Sequence, residues 1–480
     1  MNRFAPPLAT APIACQRLLE RLVRTARHGA ARGAALLSAA LIVSAALLVS
    51  MALMPSLLPS ARAALPIEQW TTSSGARVLF VRAPSIPMFD VRVDFDAGSR
   101  YDPPAKAGLA ALTQGMLLRG AKGLDESAVD EGFANLGALV GGSAGGDRAS
   151  VSLRSLSSRA ELDAAVDLLG RLLAAPAFAE PVFARERERV LQAVREAELR
   201  PATIAQRAFD TMLYGTHPYG VNATVETLER IRRDDMQAFF AAHYGARRAV
   251  VSMIGDVDRR QAEAIAERLT GVLPAGQEPP ALPAVTLPDK AAERRIVHSA
   301  SQSHILIGVP AIARGDDDFF PLLVGNYVLG GGSFVSRLYS EVREKRGLAY
   351  SVYSYFSPQL QLGPFTIGLQ TQKAQTAVAL EVVRETLARF MREGPTAAEI
   401  DAAKDNLVGG FALRIDSNAK ILEHLSLIGY YRLPIDYLDT WPSRIQAVTP
   451  EQVRAAFARH VPVDRLVTVV VGAGEAVAQR

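Results

Sequence analysis

The sequence predicts an α+β fold: two tandem homologous domains, each a mostly antiparallel sheet with helices packed on one face. Three observations predict it. Short segments alternate with a period of two, longer segments between them have helical spacing, and the second part of the chain repeats the first. Arg77-Val78-Leu79-Phe80-Val81 is a short strand. In Asp90-Val91-Arg92-Val93-Asp94-Phe95-Asp96 the apolar side chains fall on one face, as in a half-buried strand. Ala107 to Leu118 has helical spacing, Val151-Ser152-Leu153 is again strand-like, and Leu162 to Leu173 is helical. Phe183 to Leu199 is a stronger amphipathic helix, with Phe183, Val190, Leu191 and Val194 as its apolar positions.

A shift of 217 residues brings the ends of the two halves into register without a gap. Phe240 falls on Phe457, His243 on His460, Arg248 on Arg465, Val250 on Val467 and Gly255 on Gly472. Further back, Phe183 falls on Ile400, Val190 on Leu407, Ile204 on Ile421 and Tyr214 on Tyr431. Each copy ends as helix, turn and strand, so a unit of about 200 residues is duplicated. Between the copies, Pro274, Pro279, Pro280, Pro283 and Pro288 exclude a helix or central strand. The expected division is residues 1–63, a signal; 64–272, the first domain; 273–292, a proline-rich linker; and 293–480, the second domain.

The signal is read from three features. Arg17, Arg21, Arg24, Arg27 and Arg32 form a basic stretch, Ala34 to Leu53 is apolar, and Ser60-Ala61-Arg62-Ala63 has an Ala-x-Ala cleavage pattern. The apolar run is near the ~20 residues of a membrane helix, so an uncleaved anchor is the alternative. Either way the expected location is periplasmic or otherwise exported. Residues 1–63 carry seven Arg and one Glu, a net +6, whereas the whole chain is +4; the remainder is therefore −2. That charge gives no reason to expect nucleic acid as a partner. Cys15, the only cysteine, lies in the signal, so the mature chain has no disulfide or thiolate metal ligand.

Several segments carry a family resemblance. Ala97-Gly98-Ser99-Arg100-Tyr101 and the run from Ala107 through Leu109, Leu112 and Gln114 to Gly120 resemble the zinc-helix region of the pitrilysin/insulinase peptidases. In the second half, Gly330-Gly331-Gly332-Ser333, Ser336-Arg337-Leu338-Tyr339 and Arg343-Glu344-Lys345-Arg346-Gly347-Leu348-Ala349-Tyr350 resemble that family's second-half signature. Active members carry His-x-x-Glu-His on the helix. Two histidines four apart reach one zinc, and the glutamate polarises its water. This chain has Ala111, Gln114 and Gly115 at those places. No two of its seven histidines are closer than six residues, so the motif exists nowhere in the chain. The family's downstream glutamate ligand has Glu196 as its nearest match, at slightly long spacing; without partners it reads as an exposed helix residue.

The resemblance implies roles for what remains. Arg343 and Tyr350 match the pair that reaches the active site from the second half, where both side chains can donate hydrogen bonds to a bound peptide. Gly330, Gly331, Gly332 and Ser333 match a segment near the peptide cleft. The plain alternatives are a surface charge run for Arg343, a strand start for Tyr350, and a hinge or turn for the glycines. Gly141-Gly142-Ser143-Ala144-Gly145 has the Gly-x-Ser-x-Gly form, but the strand-like run after it argues for a hairpin over a nucleophile elbow. Asp316-Asp317-Asp318 reads as a solvated loop or helix start. The function expected is that of a non-zinc subunit in a heteromeric peptidase. It holds no cofactor of its own, a zinc-bearing homologous subunit is its partner, and peptide is the substrate. A catalytically inactive binding or scaffold protein is the alternative.

Overall fold

The computed structural model describes residues 65–276 and 281–472; the expected signal, Cys15, and Pro279 and Pro280 of the linker lie outside them. In the first half, β1 (Glu68–Thr71), β2 (Arg77–Arg82), β3 (Met88–Phe95), β4 (Leu139–Ala144), β5 (Ala149–Leu156) and β6 (Val250–Gly255) form one sheet. Its order is β1-β2-β6-β3-β5-β4. In the second half, β7 (Ala292–Ile296), β8 (Gln302–Ile312), β9 (Ala349–Phe356), β10 (Gly363–Gln372) and β11 (Val467–Val471) form another, in the order β7-β11-β8-β10-β9. Only β2 with β6 and β7 with β11 run parallel; the other pairs are antiparallel. Apart from β1, the two sheets have one topology, in which β4 and β9 are equivalent edge strands.

The helices repeat as well. The first half contains α1 (Leu109–Leu117), α2 (Glu180–Ala197), α3 (Pro201–Tyr214) and α4 (Arg233–His243). The second contains α5 (Phe319–Asn326), α6 (Ala397–Gly409), α7 (Asn418–Tyr430) and α8 (Pro450–His460). The starts of α2, α3 and α4 recur at α6, α7 and α8 with the shift of 217 residues found in the sequence. Residues 271–276 and 281–291, between the two sheets, form neither helix nor strand.

Each half covers one face of its sheet with its own helices and the other with a helix from its twin. Leu79 and Phe80 are neighbours on β2 and both are buried, which a sheet with one wet face does not allow. Phe80 packs into the first-half core, whereas Leu79, Val81, Val250 and Ile254 pack with Leu425 and Ile428 of α7. Reciprocally, Phe209 and Leu213 of α3 pack on Leu306 of β8 and Val467 and Val469 of β11. The helix approaches so closely that a Cβ on Gly429 would meet Val250 Cγ1 at 2.5 Å. Buried hydrogen bonds lock the exchange: Ser426 Oγ donates to Asp94 Oδ2 at 2.6 Å and Tyr430 OH to the Asp147 carbonyl at 2.6 Å. Burial raises the Asp94 pKa, although Arg148, Arg92 and Ser426 all favour its charged form.

Candidate functional site

Helix α1 begins where a buried carboxylate meets its free amides. Asp102 Oδ2 accepts from Gly108 N at 2.7 Å and Oδ1 from Ala110 N at 2.8 Å. Burial pushes the Asp102 carboxyl up to about 6, against the lowering effect of these backbone donors. An acid ahead of Pro103 and Pro104 is a helix-start signal that the sequence reading passed over.

The three degenerate positions then follow. Ala111 and Gly115 stand one turn apart on the exposed face, and nothing lies within 4 Å of the place a Cβ on Gly115 would take. Gln114 turns inward and is 7% exposed; its Nε2 donates to the Ser150 carbonyl at 3.4 Å. Its amide lies against Gly142 on edge strand β4. A protein zinc site draws on imidazole, thiolate or carboxylate donors. Here the helix offers a methyl group, an engaged amide and a hydrogen atom, so these residues do not fit a zinc ion.

The second half presents the opposite picture at its equivalent edge. Arg343 lies in a π-helical turn, Tyr339–Glu344, leading into β9. Two other cations of the run are tied down. Glu341 accepts from Lys345 Nζ at 2.9 Å, from Arg346 Nη1 at 2.6 Å, and from Arg389 Nη2 at 2.9 Å. Those hydrogen bonds, Lys345 and Arg346 foremost, hold the Glu341 carboxyl down to about 2. Arg343 has no carboxylate partner among the described residues. Its guanidinium carbon lies 4.7 Å from the Tyr350 ring centroid, 4.8 Å from Tyr339 and 6.0 Å from Phe334. Tyr350 is 81% exposed. Glu341 thus ties down Lys345 and Arg346, while Arg343 is stacked among aromatic rings.

The start of the glycine run packs against β9. A second π-helical turn, Tyr327–Gly331, extends α5; such turns often occur at functional sites. A Cβ on Gly330 would lie 2.5 Å from Ser354 Oγ of β9. Ser354 Oγ donates to Asn326 Oδ1 at 2.7 Å, and Asn326 Nδ2 donates to the Ser354 carbonyl at 3.0 Å. Close helix–strand approach is thus what requires glycine at 330. Gly331 and Ser333 are exposed, Gly332 is half-buried, and Ser333 adopts φ +52° ahead of Phe334, which is 68% exposed.

The remaining candidates do less. Glu196 is exposed on α2, with Arg200 4.0 Å away. Ser143 lies in the β4–β5 hairpin, its Oγ 3.0 Å from Ser150 Oγ, and the next element is strand β5 rather than a helix. Asp316, Asp318 and His460 converge, but Arg459 donates to both Asp318 oxygens at 2.9 and 2.7 Å. Ala111 and Gly115 thus stand beside β4, and Arg343 and Tyr350 beside β9. Among the described residues, no hydrogen bond, ion pair or ring contact joins these two groups.

Comparison with known proteins gives a consistent result. Residues 77–224 match the family described as insulinase (peptidase family M16), and residues 230–407 match the one described as peptidase M16 inactive domain. The fold is similar to the crystal structure of a peptidase M16 inactive domain from Pseudomonas fluorescens. That match has 38% identity and a TM-score of 0.82, covering 86% of this chain and all of the other. A Bacillus subtilis protein named uncharacterized zinc protease YmxG is 27% identical over 358 residues, 74% of this chain and 86% of its own length. A Helicobacter pylori protein named non-peptidase homolog YmxG is 28% identical over 394 residues, 80% of this chain and 89% of its own.

Proposed function

The chain belongs to peptidase family M16, and on that premise we propose that it is the zinc-less subunit of a heteromeric peptidase. A related subunit holds the zinc, and this chain lends Arg343 and Tyr350 to the shared peptide chamber. The observation that carries this reading is an asymmetry between two equivalent sheet edges. Ala111, Gln114 and Gly115 offer no metal donor, whereas at the β9 edge a guanidinium with no carboxylate partner among the described residues lies 4.7 Å from the ring centroid of the exposed Tyr350.

Bound peptide pairs as an added strand at a sheet edge within the chamber. The Arg343 guanidinium and the Tyr350 hydroxyl donate to its carbonyl oxygens, and these bonds strengthen as negative charge develops on the scissile carbonyl. Gln114 takes no part in proton transfer, because an amide does not ionise at neutral pH. Export through the segment 1–63 belongs to the same proposal.

The name of the Helicobacter relative favours a second reading, a binding protein with no part in catalysis. Size-exclusion chromatography with light scattering, on the chain mixed with a zinc-motif family member from the same genome, separates the two. A stable heterodimer is expected. A chain that stays monomeric or self-associates beside every such relative contradicts the proposal.

A further inference from the structure

Where β2 and β6 meet the C-terminal end of α7 there is a cleft of about 620 Å³. Among the described residues five arginines line it, Arg77, Arg100, Arg247, Arg248 and Arg432, against a single carboxylate, Asp96. Asp96 is already engaged: Arg100 and Arg248 donate to it, as do Tyr101 OH at 3.1 Å and Tyr430 OH at 3.3 Å. Among the described residues Arg77, Arg247 and Arg432 have no carboxylate within ion-pair distance. Burial, and next the charge of Arg432, lower the Arg77 pKa from its ordinary value. Like charges gathered without a counter-charge disfavour one another.

One of the three stands at a backbone angle that side chains avoid. Arg432 follows the C-terminal end of α7 at φ +54°, where Leu433 N donates to the Ile428 carbonyl at 3.0 Å. The residue 217 positions earlier, after α3, is Gly215, at φ +55° and ψ −119°, and its own N donates to the Thr211 carbonyl at 2.9 Å. The two helices end differently, and at a φ near +55° the second carries a guanidinium where the first carries glycine.

We propose that this cleft is a binding site for a small oxyanion of two or more charges, a phosphate or a carboxylate compound, held by Arg77, Arg247 and Arg432. Guanidinium groups match both oxyanions bidentately, and the cleft volume falls in the roughly 300–1,000 Å³ range of small-molecule sites. The inference does not depend on the peptidase reading.

Titration calorimetry on the purified chain at low ionic strength tests it, with inorganic pyrophosphate and citrate as the two probes. Saturable binding of one ion per chain is expected, and the probe bound more tightly assigns the phosphate or the carboxylate source. Arg432→Gly is expected to weaken binding roughly tenfold to a hundredfold, while the unliganded Tm stays equal or rises, because glycine takes the positive φ of this position without steric cost. Arg77→Gln weakens binding in the same direction. Absence of saturable binding by either ion overturns the proposal, and so does an affinity that neither substitution changes.

Discussion

Arg343→Ala is expected to disable the assembled peptidase while leaving the fold of this chain almost unchanged. Arg343 has no ion pair among the described residues; it lies over Tyr350, Tyr339 and Phe334. Exposed contacts of that kind contribute about 0.5–1 kcal/mol, which bounds the stability loss. Losing a charged hydrogen-bond donor to a reacting carbonyl costs about 1.5–3 kcal/mol, a fall in kcat/KM of roughly tenfold to 150-fold. Arg346→Ala, three positions along the same run, is the contrasting control. It removes hydrogen bonds to Glu341 Oε2 at 2.6 Å and to the Glu341 carbonyl at 2.9 Å. With Arg346 41% exposed, that change costs stability of about 0.5–1.5 kcal/mol after solvent screening, and activity is retained. Urea unfolding of each variant and kcat/KM of the reconstituted pair on a quenched peptide measure both effects. The reasoning is refuted if Arg343→Ala costs clearly more than about 1 kcal/mol, or if the pair containing it keeps full activity.

Other substitutions probe the structural side. Gln114→Glu puts a carboxylate where an amide donates to the Ser150 carbonyl, so urea unfolding should show a loss of about 1–3 kcal/mol. Phe209→Ala opens the exchanged-helix interface at a fully buried ring, with an expected loss of about 3–5 kcal/mol; a loss under 1 kcal/mol speaks against that packing. Burial acts to raise the Glu399 pKa, but Arg337 and Thr396 hold the group down to about 2, below its ordinary 4.5. Its stabilising contribution is therefore present above pH 4.5 and lost as pH falls toward 2, and Glu399→Gln should flatten that limb of a urea-midpoint profile. Asp102 has the opposite sign: raised from 3.8 to about 6, its contribution is complete below 3.8 and fades as pH rises through 6. Asp102→Asn should remove that slope.

Much of the fold was legible because duplication leaves a local record. The shift that aligns Val250 with Val467 in the sequence aligns β6 with β11 and the starts of α2, α3 and α4 with those of α6, α7 and α8. The exchange of α3 and α7 between the sheets was not legible. Periodicity reports that Leu79 or Phe209 is apolar and silent on which half buries it. The blank zinc positions were readable outright, because an absent donor is a fact of composition. The state of Arg343 was not: Arg343, Lys345 and Arg346 look alike in sequence, and only Glu341, folded back between Lys345 and Arg346, tells them apart. The cleft arginines escaped notice for a similar reason, since Arg77, Arg247 and Arg432 come together only through long-range packing.

The most direct measurement is zinc-dependent peptidase activity in three samples: this chain alone, the chain with a zinc-motif relative, and that mixture carrying Arg343→Ala and Tyr350→Phe. A shared site predicts no activity in the first, activity in the second and a large loss in the third. Activity of the chain alone, or a third sample as active as the second, contradicts it.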